Sequence, residues 1–237
     1  MASRAAPAPR TTVRTPRWAA VGLVLGTVCY IVPTIVHGNP PVESAEGTLR
    51  WVADRPSWRI MHMLNIAAIL LWAVSLGALH PPKAPDPVKQ ATRTITTIAA
   101  AVFATYFSLH AMALSVAADR FTTGEVPRAE VLAQTEAVLL VLGAVAFTAQ
   151  ALLGLAILLN GLTLATGGQY PRWLGGTAVV AGAGWMIGAL LVDIDRIVVP
   201  FTALTWIWTF VMAIAVWRYT ANAGTVEPEP GAGEGAG

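Results

Sequence analysis

Long uncharged stretches alternate along the chain with short segments that hold nearly all of its ionisable residues. Each stretch runs for 19 to 25 residues without Asp, Glu, Lys or Arg. Because an α-helix rises about 1.5 Å per residue, roughly 20 apolar residues cross a bilayer core of about 30 Å. The pattern predicts six membrane-spanning helices, over Trp18–Val36, Ile60–Leu79, Thr94–Ala118, Ala137–Leu159, Trp173–Val192 and Ile197–Trp217.

The composition is typical of a membrane protein. Of the 237 residues, 55% are hydrophobic and 12% are charged, whereas soluble domains carry about 25% charged residues. We therefore predict an all-α, single-domain bundle over residues 17–219, a multi-pass protein of the cytoplasmic membrane. Arg outnumbers Lys thirteen to two and Ala is abundant, which indicates a GC-rich bacterial source.

The two ends of the chain show no apolar periodicity. Residues 1–16 are rich in Ala, Pro, Arg and Thr, and residues 220–237 end in a run of Gly, Glu, Pro and Ala. Such segments bury too little apolar surface to offset the entropy of ordering. We predict a disordered arm over residues 1–16 and a disordered low-complexity tail over residues 220–237.

Basic residues divide unevenly between the two sides of the predicted bundle. With both termini inside, the cytoplasmic segments carry nine Lys and Arg residues and the outer segments carry six. Cytoplasmic loops are enriched in Lys and Arg, so the count favours an N-in, C-in topology. The net charge of only +2, without a basic stripe, argues against a nucleic-acid partner. The lipid bilayer is the predicted partner.

The single cysteine restricts the chemistry of the chain. Cys29 lies inside the first apolar stretch, so no intrachain disulfide and no cysteine-based zinc or iron–sulfur site can form. The sequence contains no nucleophile elbow, no His-Glu-x-x-His pair and no Walker loop. We predict no metal site and no cofactor.

The longest predicted outer loop contains a short helical pattern. Residues Pro41–Asp54 can form a helix that lies in the membrane interface, with its apolar side chains directed toward lipid. Those side chains are Val42, Leu49, Trp51 and Val52. Trp51 and Trp58 also fit the aromatic belt at a membrane surface.

Glycines recur at four-residue spacing on two of the predicted helices. Gly22 and Gly26 share the first helix, and Gly184 and Gly188 share the fifth. Small residues at this interval let two helix backbones approach closely. The pattern favours packing within the bundle, and a homo-oligomer through the same faces is the alternative.

Polar side chains within the apolar stretches gather in the predicted outer half of the bundle. Each is costly at membrane depth and therefore a candidate for function. His62 and Asn65 lie one turn apart, as do Tyr106 and His110, so each pair shares a helix face. We predict a common crevice. Its candidate catalytic residues are His110, Glu136 and His62, and its candidate substrate-binding residues are Asn65, Tyr106, Gln150 and Trp206.

Three interpretations of this crevice stay open. In the leading one, its polar groups make ordinary structural contacts, and the bundle binds a lipophilic small molecule or a partner. In the second, His110 and Glu136 act as acid and base on a lipophilic substrate, as in an isomerase or polyene cyclase, and Trp206 stabilises a developing cation. In the third, His62 and His110 ligate haem in a redox subunit, although helix rise places them about 9 Å apart in depth.

Two short motifs resemble a bacterial family of six-helix membrane proteins of unknown function. One is a Glu-Gly-x-x-Arg run, here Glu46–Arg50, between the first two helices. The other is Tyr-Pro-Arg-Trp-Leu-Gly, here Tyr170–Gly175, which opens the fifth helix. The resemblance covers residues 18–218 and implies the six-helix fold. It implies no role for the histidines, which are not part of the family's pattern.

Overall fold

The computed structural model describes residues 15–80, 86–192 and 194–222, and in these residues every regular element is helical. The chain order is α1 (Arg17–His37), α2 (Ala45–Ala53), α3 (Trp58–Ala78), α4 (Pro87–Ser108), a first π segment (Leu109–Leu114), α5 (Ser115–Thr123), α6 (Arg128–Gly167), α7 (Arg172–Leu190), a second π segment (Ile194–Val198) and α8 (Val199–Asn222). Six of the described helical units are long and apolar enough to cross a membrane. The predicted all-α fold with six such helices is confirmed.

Two of the long helical units extend well beyond their uncharged stretches. Helix α6 has 40 residues, and α4, the first π segment and α5 form one unit of 37 residues. At about 1.5 Å per residue, each is longer than the hydrocarbon core of about 30 Å. Both units are therefore longer than a membrane crossing requires, and their polar ends continue as helix past the charge-free stretches.

The six long units form a closed circle in chain order. Each packs on the next, from α1 to α3, α4, α6, α7 and α8, and α8 returns to pack on α1. Short connections explain the order: for example, Gly168 follows the last residue of α6 in the left-handed conformation (φ 68°), and α7 begins at Arg172. Helices α7 and α8, which contain the fifth and sixth predicted spans, also pack on each other.

Glycines bring helix backbones together within this circle. A Cβ atom added at Gly161 would lie 2.6 Å from the amide nitrogen of Val179, so α6 and α7 touch through their backbones. On α1, a Cβ atom at Gly26 would lie 2.6 Å from the Trp72 ring. On α7, one at Gly188 would lie 2.7 Å from the Ile197 side chain. These glycine faces are occupied within the chain, and the homo-oligomer stays a prediction.

Both termini of the described bundle lie at one end. The guanidinium of Arg17 stacks over the Trp217 ring at 5.1 Å, and the Tyr170 hydroxyl donates to the Thr15 hydroxyl at 2.9 Å. Helix α2 lies at the opposite end, where it packs on α5 and α6. We call these the termini end and the α2 end.

Helix α2 forms where the sequence predicted it but faces protein rather than lipid. Leu49 and Val52 are only 0% and 4% exposed, and they pack with Leu114 and Val131. The predicted lipid contact of these two side chains is wrong, because α5 and α6 extend far enough to supply a protein surface there. The predicted belt position of Trp58 is also wrong, since this ring is 2% exposed in the same cluster.

Several predictions fall largely outside the described residues. The arm over residues 1–16 is described only at residues 15–16, and the tail over residues 220–237 only as far as residue 222. Those last three residues still belong to α8.

Candidate functional site

A cavity of about 1090 Å³ lies within the circle of helices at the α2 end. Residues of α1, α3, α4, α6 and α8 line it, and the segment from Asn39 to Glu46 borders its mouth. This volume is slightly larger than the range of about 300–1000 Å³ for small-molecule sites. Seven aromatic side chains line it: Tyr30, Trp58, Phe103, Tyr106, Phe107, Phe147 and Trp206.

Six of the seven candidate residues line this one cavity. They are His62, Tyr106, His110, Glu136, Gln150 and Trp206. The exception is Asn65, which is fully buried but is not among the lining residues. Neither polar atom of its amide has a hydrogen-bond partner among the described residues. The predicted crevice is therefore present without Asn65 in its wall.

Three histidines gather around Trp58 at the inner wall of the cavity. The rings of His37 and His62 are stacked with centroids 4.6 Å apart, and those of His62 and His110 are stacked at 4.9 Å. The Trp58 ring lies 4.3 Å from His62 and 5.8 Å from His110. We call His37, His62 and His110 the histidine cluster.

The close pairing of His62 and His110 contradicts the depth difference expected from the sequence. That estimate counted residues from the ends of the uncharged stretches. The helical unit that carries His110 continues to Thr123, past the end of the uncharged stretch, so the end of that stretch is a poor reference for depth. Within the described residues, no group of three or more His, Cys, Asp and Glu side chains could hold a metal ion.

Hydrogen bonds through Trp58 fix part of the cluster. The Trp58 carbonyl lies 2.9 Å from Nδ1 of His62, and because a carbonyl only accepts, Nδ1 carries the proton. His37 contacts the Gly38 carbonyl through Nδ1 in the same way. Neutral His37 and His62 are thus left with Nε2 as an acceptor. The indole of Trp58 in turn donates to the His110 carbonyl at 2.8 Å.

Two polar atoms on the cavity wall lack a partner among the described residues. They are Nδ1 of His110, whose residue is 7% exposed, and Nε1 of Trp206. A buried polar group without a hydrogen bond costs about 1–3 kcal/mol. Both atoms are themselves buried, so a ligand in the cavity reaches either one only after its side chain rotates.

His110 also lies in an irregular stretch of helix. It is the second residue of the first π segment, Leu109–Leu114, and single π turns within α-helices occur frequently at functional sites. The second π segment lies at the same end, and its last residue, Val198, lines the cavity. Two departures from α-helical geometry therefore border the same space.

The charged residues on the cavity wall are all acidic. Glu43, Glu46 and Glu136 line it, and no Lys or Arg does among the described residues. Glu46 accepts hydrogen bonds from Arg128 at 2.5 Å and from Arg50 at 2.6 Å, and both bonds lower the pKa of its carboxyl. Glu43 and Glu136 form no ion pair in the described part of the chain.

A separate polar network surrounds His80, which lies just beyond the last residue of α3 at the termini end. Nε2 of His80 donates to the Asn160 side-chain oxygen at 2.9 Å and lies 3.1 Å from the Thr163 hydroxyl. The Asn160 amide donates to the Thr96 hydroxyl at 3.1 Å, which ties α6 to α4. Burial lowers the pKa of His80. None of these residues lines the cavity.

Sequence reasoning missed His37, Glu43 and Glu46 as cavity residues. His37 ends the first apolar stretch on the predicted outer side, the same side as His62 and Glu136. This shared side was the one sequence feature that could have indicated His37 as a cavity residue. The two glutamates lie in a loop and in α2, whose position over the bundle has no local signature in the sequence.

The circle of six long helices and the cavity within it define an all-helical bundle with an internal site, and the six long units are apolar enough to cross a membrane. No family model, no curated protein and no solved structure matches the chain. The resemblance to the six-helix family stays a prediction that rests on its two motifs. In the structure, Glu46 of the first motif pairs with Arg50, and the carbonyl of Leu174 in the second accepts from the Trp208 indole at 2.9 Å.

Proposed function

We propose that this protein binds a lipophilic small molecule in the cavity at the α2 end. The observation that carries the proposal is the composition of the cavity wall. Seven aromatic side chains surround about 1090 Å³, and a few polar residues, among them His62, His110 and Gln150, stand between them. Apolar walls with a few fixed polar groups are typical of small-molecule sites.

Access from the bilayer supports a lipophilic ligand. Leu140 on α6 and Val199 on α8 both line the cavity, although they are 78% and 54% exposed. The cavity therefore reaches the outer surface of the bundle between α6 and α8. On a membrane-spanning bundle that surface contacts lipid, so a ligand dissolved in the bilayer reaches the site directly.

We also propose that the protein resides in the cytoplasmic membrane with its termini end inside. The support is the distribution of Lys and Arg, nine on the termini side and six on the α2 side, which follows the positive-inside rule. The cavity then opens in the outer half of the bilayer.

A cavity-filling substitution tests the binding proposal. The probe is the neutral dye N-phenyl-1-naphthylamine, whose fluorescence is titrated against protein in nanodiscs, with empty nanodiscs as the background. We expect saturable binding to the wild type and a loss of about tenfold or more in affinity for Ala146→Trp, because Ala146 lines the cavity. Ala144→Trp is the matched control, since Ala144 is exposed on the same helix outside the wall. Absence of saturable binding, or equal binding by both variants, overturns the proposal.

An intramembrane acid–base enzyme is the second candidate. The observation that favours it is that His62, His110 and Glu136 line one cavity, as proton transfer to and from one substrate requires. Incubation of the protein with bacterial lipid extract in heavy water tests it. When a base removes a C–H proton and a deuterated acid group then returns a deuteron to the substrate, a C–D bond forms in the lipid, so a mass increase is expected with the wild type and not with His110→Ala. No increase with the wild type rejects this candidate and leaves the binding proposal standing.

A further inference from the structure

We propose that the molecule bound in this cavity is an amphiphilic cation, an alkyl or aryl chain that carries a primary ammonium group. This inference rests on the proposed binding function and adds the sign of the ligand's charge. It is drawn from the charges, the aromatic rings and the unpartnered histidine on the wall.

The charge of the wall excludes an anionic ligand and favours a cation. Its charged residues are three glutamates, without a Lys or Arg among the described lining residues. The carboxylate of Glu46 is already held by Arg50 and Arg128. Glu43 and Glu136 form no ion pair in the described part of the chain, so their negative charges remain for a ligand at the mouth. Like charges brought together at a partly desolvated site are repelled, which selects against anions.

The aromatic rings of the wall favour the same sign. The faces of Trp, Tyr and Phe attract a cation that lies within about 6 Å of the ring centroid. The rings of Tyr30 and Trp206 are 5.8 Å apart, and those of Tyr30 and Phe107 are 5.9 Å apart. An ammonium group beside Tyr30 would therefore be in reach of more than one ring. The alkyl chain would be accommodated by the remaining apolar wall and by the opening beside Leu140.

The histidine cluster supplies acceptors for an N–H donor, and this is independent of the glutamates. Nδ1 of His110 is buried, belongs to a wall residue and has no partner among the described residues, so it is an acceptor in the tautomer whose proton is on Nε2. Neutral His37 and His62 have Nε2 as their acceptor, because carbonyls hold their Nδ1 protons. A primary ammonium has three N–H donors and no acceptor, which matches this set. Nε1 of Trp206 is a neutral donor and does not set the sign of the ligand's charge.

Three probes of equal chain length separate charge from hydrophobicity. Dodecylammonium, dodecanol and dodecanoate displace N-phenyl-1-naphthylamine from the protein in nanodiscs at pH 7.5, with each concentration corrected for partition into empty nanodiscs. We expect dodecylammonium to displace the dye at about tenfold lower concentration than dodecanol, with dodecanoate the weakest. In Glu136→Gln and in Glu43→Gln, the preference for the cation should fall severalfold, and in the control Glu125→Gln it should not change. Glu125 is exposed at the same end and lies outside the wall.

Each outcome has a distinct meaning. Equal displacement by dodecylammonium and dodecanol, or stronger displacement by dodecanoate, overturns the cation inference and leaves the binding proposal intact. A cation preference that falls equally in Glu125→Gln also overturns it, because the effect would then belong to general surface charge. Failure of the dye to bind saturably overturns both. Since Glu43 and Glu136 are exposed, two independent variants report on the wall if one of them folds poorly.

Discussion

Trp58 joins the histidine cluster to the helix that carries His110. Its indole donates to the carbonyl of His110, within the first π segment, and its own carbonyl accepts from His62. One buried residue therefore links the His62 imidazole, through its backbone carbonyl, to the backbone of His110, through its indole. A histidine aligned in this way is pre-organised for a ligand, because its position does not have to be established during binding.

Replacing Trp58 with Phe should destabilise the fold. The substitution keeps an aromatic ring but leaves the His110 carbonyl without its indole donor, which costs about 1–3 kcal/mol. Unfolding in a dodecyl sulfate titration measures the effect. Trp51→Phe is the matched control, because Nε1 of Trp51 has no partner among the described residues and its loss should cost little. Equal destabilisation by the two substitutions would contradict the assigned role.

His80 should make stability depend on pH. Burial lowers its folded-state pKa despite the hydrogen bond to Asn160, and Lys89 and Arg93 act in the same direction while Asp86 opposes them. The unfolded pKa is about 6.5. The stability that neutral His80 contributes is therefore complete above that value and is lost as the pH falls below it toward the folded pKa.

The expected result for His80 is a melting temperature that falls between pH 7.5 and pH 5.5. In His80→Gln this fall should be smaller, because the amide can still donate to Asn160 but does not titrate. Both proteins keep His37, His62 and His110, so the difference between them isolates His80. Parallel pH profiles would show that the network is insensitive to protonation of this residue.

At the scale of elements, α6 and α7 depend on backbone contact. A Cβ atom at Gly175 would overlap the backbone of Ala165, whereas one at the next residue, Gly176, would meet open space. The two glycines are adjacent on one helix, so they differ in packing but not in helix propensity.

Gly175→Ala should destabilise the bundle by about 1–3 kcal/mol through overpacking. Gly176→Ala should be neutral or stabilising by up to about 1 kcal/mol, because Ala is the better helix former. The dodecyl sulfate titration used for Trp58 compares the two variants. Similar midpoints for both would mean that α6 and α7 can separate without cost.

The number of elements could be predicted from the sequence better than their ends or faces. Uncharged stretches located the long helices because charge is excluded from lipid, and this constraint acts within each segment. The apolar face of α2 was assigned to lipid because the sequence does not show that α5 and α6 reach past the membrane. The sequence also gave no sign that π geometry would surround His110, since that register depends on contacts such as the one with Trp58.

The candidate site could be predicted only in part, because local spacing shows which residues share a helix face but not which way that face points. One-turn spacing places His62 near Asn65 and Tyr106 near His110, but which neighbour faces the cavity depends on helix rotation. Asn65, which was predicted to line the cavity, does not line it, whereas His37, which was not predicted, does. The rotation of each helix about its own axis is set by packing between segments far apart in sequence. The periodicity within one helix does not predict it.

At the scale of the whole molecule, the topology can be measured by thiol labelling. In a Cys29→Ala background, a cysteine placed at Glu125 should react with a membrane-impermeant maleimide in intact cells, because Glu125 is exposed at the α2 end. A cysteine at Ser3 or at Gly235 should react only after the membrane is permeabilised. Labelling of the terminal positions in intact cells would reverse the proposed orientation.

Because the cavity opens beside Leu140 and Val199, the ligand concentration that determines occupancy is the concentration in the membrane rather than in water. A molecule that arrives sideways has first dissolved in the membrane, where an amphiphile is enriched relative to water. Each tenfold enrichment in the membrane has the same effect on occupancy as about 1.4 kcal/mol of binding free energy. A weakly bound ligand can therefore still saturate the protein. Neighbouring phospholipids are far more numerous competitors, and many bear a negative headgroup. The glutamates of the cavity wall would then contribute selectivity against anionic phospholipids more than high affinity for the ligand.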